Sequence, residues 1–157
     1  MNIFDIIRPY GRRASVEDLG LYVLPQEFIP RNATFVDQAS SPIVPFGIPG
    51  VPGTALAFDY LVPANRRGVI RRLAVDPADP AAIPSIRFSV LRSGSPVPNY
   101  QNAEVPMGTI GQPDLVSAQF DGDQRMQILI LNTSAFDFEV FVRVVAWFWD
   151  VIEERGR

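Results

Sequence analysis

The stretch Phe136-Asp137-Phe138-Glu139-Val140-Phe141-Val142-Arg143-Val144-Val145-Ala146-Trp147-Phe148-Trp149 decides the fold. Its even positions, from Phe136 through Val142 to Phe148, are all apolar. Successive side chains on a strand point to opposite faces, so these residues line one face of a long strand and belong to a core. The odd face starts polar with Asp137 and Glu139, then carries Phe141, Arg143, Val145, Trp147 and Trp149. Leu129 and Leu131 repeat the effect on the preceding strand, because their face should be solvent-exposed if Ile128 and Ile130 are buried. A second apolar surface follows. An aromatic patch of this extent needs cover, by the chain's own N-terminal arm or by another subunit. A subunit contact around a three-fold axis is expected, making a homotrimer, with Phe141, Arg143, Val145, Trp147, Trp149, Leu129 and Leu131 in it; the Arg143 guanidinium would pair with Glu139 or with a neighbouring subunit's carboxylate.

Alternation with a period of two continues upstream as far as Thr54, broken by Gly, Pro, Asn and Asp at short intervals. That is the pattern of an all-β sandwich or barrel. About six strands are expected: near Thr54 to Val62 (Leu56, Phe58, Tyr60 and Val62 on one face), Arg67 to Val75, around Ile86 to Val90, Asp114 to Phe120, Met126 to Ile130, and Phe136 to Trp149. Asp121-Gly122-Asp123 is read as a hairpin turn, the alternative being oxygen ligands for calcium, for which the loop lacks the usual length and terminal glutamate.

Residues 1–53 differ, holding seven of the 15 prolines and no long alternating run. They are read as an extended arm, followed by a β-domain over 54–150 and a charged tail over 151–157. Short helical turns are expected at Asn2 to Ile7 and after Ser15, with a basic turn at Arg8 to Arg13 between them. From Ser41 to Gly53 the prolines and glycines predict a semi-rigid strap. Its residues Ile43, Val44, Phe46, Ile48 and Val51 are too apolar for a solvated linker, so the strap should lie on a protein surface. Glycine recurs every third residue from Gly47 to Gly53, the spacing of a triple helix, but two triplets are too few and proline–glycine turns are the preferred reading. Anchoring of the arm is assigned to Phe4, Ile7, Arg12, Arg13, Leu21, Tyr22, Phe28 and Phe46.

Composition narrows the function. The 157 residues suffice for one domain with a core. The net charge is −3 and the 14 basic residues are all arginine, which disfavours a nucleic-acid coat. Arginine without lysine reflects either a GC-rich genome or selection for bidentate interface contacts. The pairs Arg66-Arg67 and Arg71-Arg72 should each send one member to each face of a strand. With no cysteine and no histidine, thiolate and imidazole metal sites, disulfides and Ser-His or Cys-His catalysis are excluded. No cofactor is expected, nor is an enzyme. No window has the apolar length of a membrane helix and the first residues lack a secretion signal's layout, so no membrane partner and synthesis in the cytoplasm are expected. Asn32-Ala33-Thr34 and Asn132-Thr133-Ser134 match the glycosylation sequon and are read as chance. Trp147 and Trp149 could stack on a sugar, although packing or subunit contact is the preferred reading.

One resemblance adds to this. Tyr60-Leu61-Val62-Pro63-Ala64-Asn65-Arg66-Arg67-Gly68-Val69-Ile70, then Ser93-Gly94-Ser95-Pro96-Val97, Gln127 to Asn132, and Arg143-Val144-Val145-Ala146-Trp147-Phe148-Trp149 resemble the small jelly-roll domains of tailed-bacteriophage virion proteins, of the head decoration, head fibre, neck and tail-attached kinds. The resemblance covers roughly residues 54–150. It implies an antiparallel jelly-roll, frequently trimeric, anchored by an N-terminal extension to capsid, portal or tail proteins in a virion, and it brings no catalytic residue. The alternative function is a carbohydrate- or receptor-binding module for host attachment.

Overall fold

The computed structural model describes residues 33–151, which form ten strands: β1 (Thr34–Ser40), β2 (Ile43–Val44), β3 (Gly53–Leu61), β4 (Arg66–Pro77), β5 (Ile86–Arg92), β6 (Ser95–Pro96), β7 (Ala103–Glu104), β8 (Asp114–Phe120), β9 (Arg125–Asn132) and β10 (Phe138–Asp150). A 3-10 turn, Pro80–Ser85, joins β4 to β5, with the Asp79 carboxylate accepting from Ala81 N at 2.9 Å as its cap. The strands make two antiparallel sheets. One runs β1-β10-β4-β8 and the other β3-β9-β5, with β6 and β7 both on the far edge of β5.

Alternation explains the sandwich. On β10, Val140, Val142, Val144, Ala146 and Phe148 are fully buried, and on β9 so are Met126, Ile128 and Ile130. These two inner faces meet Phe88 and Val90 of β5, Ile70 and Leu73 of β4, and Phe120 of β8 in one continuous core. Each of these valine, leucine, isoleucine, methionine and phenylalanine side chains contributes about 1.5–3 kcal/mol on leaving water. Arg92 closes one end of the core: it stacks on Phe120, with its Cζ 5.5 Å from the ring centroid, and donates to Gln119 O of the other sheet.

The structure departs from the sequence reading at several points, four of them in the course of the main strands. Residues 34–44, read as arm, are an edge strand of the sandwich. β1 and β2 pair with β10 in one unbroken register, from Thr34↔Phe148 to Val44↔Phe138. Pro42 interrupts the strand, yet its carbonyl still accepts from Val140 N at 3.0 Å. The compact unit accordingly begins at Thr34 and not at Thr54. Second, a bulge between Leu56 and Phe58 turns Leu56 outward opposite Leu129 while Ala57 and Phe58 are buried. Third, Phe136 precedes β10 and stands 70% exposed instead of joining the core. Fourth, a register shift opposite Val145/Ala146 puts Arg71 and Arg72 on the same side of β4. Arg72 faces outward opposite Val145, and Arg71 lies over the outward Trp147 ring. Phe4, Ile7, Arg12, Arg13, Leu21, Tyr22 and Phe28, both short helical turns and the tail beyond Val151 lie outside the described residues.

Candidate functional site

The odd residues of β10 form the outer face of their sheet, as alternation requires. Cross-strand pairing places Phe35 beside Trp147, Asp37 beside Val145 and Ala39 beside Arg143 on one flank, and Arg67, Val69, Arg72 and Ala74 on the other. Trp147 is held on two sides. Phe35 meets it edge-on, with ring centroids 5.4 Å apart and planes at 82°, and the Arg71 guanidinium lies 5.4 Å from its centroid. Phe35 itself is 59% exposed, and Leu115 of β8, opposite Arg72, is 66% exposed. An apolar strip with arginines along it results.

Arg143 finds its partner within the chain. Its guanidinium makes a bidentate pair with Asp37, at 2.8 and 2.7 Å, and donates to Ile110 O at 2.9 Å. Hydrogen bonding from Arg143 holds the Asp37 carboxyl below the usual carboxylate range, and the same bond raises the Arg143 pKa. The residue thereby ties β1 to β10 and pins the loop before β8, and Glu139 is not its partner. Sequence reasoning missed Asp37 because it treated the whole segment as arm.

Leu129 and Leu131 lie elsewhere. They pair with Leu56 and Thr54 of β3 and with Ser89 and Arg87 of β5, on the outer face of the other sheet. The seven residues expected to share one contact therefore divide between opposite faces of the sandwich, because the turn between β9 and β10 carries the chain from one sheet to the other.

The strap forms a latched tip at the end where β10 begins. Asn132, fully buried, donates its amide to Val44 O (3.2 Å) and Phe136 O (2.7 Å), while its Oδ1 accepts from Ser134 N (2.9 Å) and Ser134 Oγ (2.7 Å). That burial closes the Asn132 sequon to modification in the folded protein. Phe46 N donates to Asp137 Oδ1 at 2.8 Å and Gly47 N to Ser134 O at 2.8 Å. Ile48 and Val51 exchange two backbone hydrogen bonds of 2.9 Å around Pro49-Gly50, where Gly50 has φ +80°. This is a proline–glycine turn, not a polyproline triplet. A Cβ at Gly53 would overlap Pro45 O, so the return of the strap requires glycine there. An open groove of about 450 Å³ separates the turn from Thr133–Ala135. Only Val44 of the strap's large apolar residues is buried; Ile43, Phe46, Ile48 and Val51 are exposed, and Phe136 joins them. Phe46, expected to anchor the arm, is thus a tip residue.

The opposite end is charged. Arg66 pairs with Asp150, Arg67 with Asp121 and Arg125 with Asp59, the last through two bonds of 2.8 Å. Asp121-Gly122-Asp123 is a turn, with Asp123 at φ +65° and Gln124 N donating to Asp121 O. Among the described residues no three acidic side chains converge as metal ligands. No family model, no curated protein and no solved structure matches the chain.

Proposed function

We propose that the chain is a structural protein of a bacteriophage particle, a non-enzymatic jelly-roll that self-associates through the outer face of the β10 sheet and is anchored to capsid, portal or tail by its N-terminal residues. Strand order carries this reading. When β2 is taken with β1, and β6 with β7, eight strand positions remain. They fall as first-eighth-third-sixth in one sheet and second-seventh-fourth-fifth in the other. That interleaving is how two Greek keys close into a jelly-roll, an architecture of viral capsid and lectin domains. The exposed Phe35 and Leu115 beside Trp147 supply a surface suited to protein contact.

A carbohydrate-binding module is compatible with the same strand order. It receives less support, because Trp147 already has Phe35 against it and Arg71 over its ring. A density map of the purified particle tests the proposal. Density that fits this sandwich supports it, and a complete map without such density overturns it. Deleting residues 1–33 keeps every described strand and should abolish incorporation; incorporation at wild-type occupancy would refute the anchoring role. Binding of the isolated domain to a glycan array, with no incorporation, would favour the carbohydrate reading.

A further inference from the structure

The tip has no explanation in the fold. It displays Phe46, Ile48, Val51 and Phe136 to solvent, yet a buried amide and several backbone bonds hold it in one conformation. Rigid exposed apolar groups bind with little ordering cost and are unusual without a partner. Charge narrows the partner. Residues 41–53 and 132–139 contain Asp137 and Glu139 and no arginine or lysine, so the tip repels nucleic acid and anionic lipid and suits an apolar surface edged with arginine. The chain carries such a surface, the outer strip of Phe35, Val145, Trp147 and Leu115 flanked by the exposed Arg72.

A tip cannot reach its own strip. Phe136 and Trp147 are separated by 11 residues along an extended strand (147 − 136 = 11), about 35 Å at the strand rise. We infer that the tip of one copy docks on the outer β10-sheet face of a second copy, a heterologous contact in which each molecule offers a different surface to each neighbour. This rests on the self-association in the proposed function and names its missing half. Repetition of such a contact gives a closed ring if the rotation closes and a filament if it does not.

Two variants separate this from other modes. Phe136→Asp alters only the tip, and Phe35→Asp only the face; both side chains are mostly exposed, so both proteins should keep the wild-type circular dichroism spectrum. Arg72→Glu is a second face variant that leaves the aromatic pair intact. Sedimentation velocity at micromolar concentration should show wild-type protein above monomer mass, and each variant alone at monomer mass with dissociation constants raised more than tenfold. An equimolar mixture of Phe136→Asp and Phe35→Asp should form dimers and nothing larger, since each retains the half that the other lacks. A face variant that associates like wild type, a mixture that stays monomeric, or a monomeric wild type would overturn the inference. A monomeric wild type that is nonetheless present in the particle map would sink this contact and leave the particle role standing.

Discussion

The two ends of the sandwich solve the same problem by different means. At one end, where β3 leads into β4 and β8 into β9, connections are short, joined by backbone hydrogen bonds such as Val62 N to Gln124 O and Asp123 N to Val62 O, and carry exposed ion pairs: Arg66 with Asp150, Arg67 with Asp121, Arg125 with Asp59. At the other, a proline-rich strap is held by the buried Val44, one buried amide and a few backbone bonds, with its other large apolar side chains outside. Exposed ion pairs are weak and tolerate loss of a partner, whereas a buried amide leaves stranded carbonyls when removed. The buried amide is therefore the costlier contact to lose, and the backbone that carries the exposed Phe46 and Phe136 is held by it and by the Asp137 carboxylate.

Asn132→Ala should break the difference most. It strips hydrogen bonds from Val44 O and Phe136 O, and should lower stability by about 2–3 kcal/mol, measured by urea denaturation. Faster amide exchange at Gly47 and Phe46 should accompany it. A loss no larger than that of an exposed ion pair would mean that the strap is held some other way.

Acid offers a second, smaller lever, located on β1 between the two ends. The folded-state pKa of Asp37 is depressed by its Arg143 hydrogen bonds, so its contribution is present above the unfolded carboxylate pKa, near 4, and is lost as pH falls through the lower folded value. Asp37→Asn should therefore reduce the melting temperature slightly at neutral pH and flatten its decline below about pH 4. Asp37 is about half exposed, so solvent screening keeps the effect modest. An unchanged acid profile would remove the pair from the account of how β1 is held.

At the charged end the expected change is smallest. Asp59→Asn, which removes the bidentate partner of Arg125, should shift the melting temperature by roughly 1–2 °C or less, and added salt should not alter the wild-type value much more. A shift as large as that of Asn132→Ala would erase the distinction between the ends.

Much of the sandwich was legible because its inner strands follow a strict period of two. β10 and β9 show it throughout, and β3, β4, β5 and β8 were placed within a few residues. β1 escaped because an edge strand needs little alternation: inward it offers Val36, Gln38 and Ser40, outward Phe35, Asp37 and Ala39, so neither face reads as core. The bulges at Leu56/Phe58 and at Arg71 were invisible for a different reason. Each inserts one residue without a sequence mark, so counting by twos sends Leu56 inward with Phe58 and puts Arg71 and Arg72 on opposite faces. The candidate contact was half legible. The odd face of β10 was found, while its partners Phe35, Leu115 and Arg72 and the separation from Leu129 and Leu131 depend on which strands become neighbours, which a local pattern does not encode. Of the strap's large apolar residues, expected to lie on a protein surface, Val44 alone turns inward.

Trp147 is the residue on which the self-association account turns, because it lies at the centre of the outer strip, between Phe35 and Arg71. Equilibrium sedimentation of wild-type protein and Trp147→Ala at micromolar concentration is the most direct test. An aromatic at the centre of a contact is worth about 2 kcal/mol or more. Wild-type protein is expected above the 17.4 kDa monomer mass, and Trp147→Ala at a lower mass with its β-type circular dichroism spectrum retained. A wild-type protein that sediments as a monomer, or a folded Trp147→Ala with unchanged mass, would contradict it.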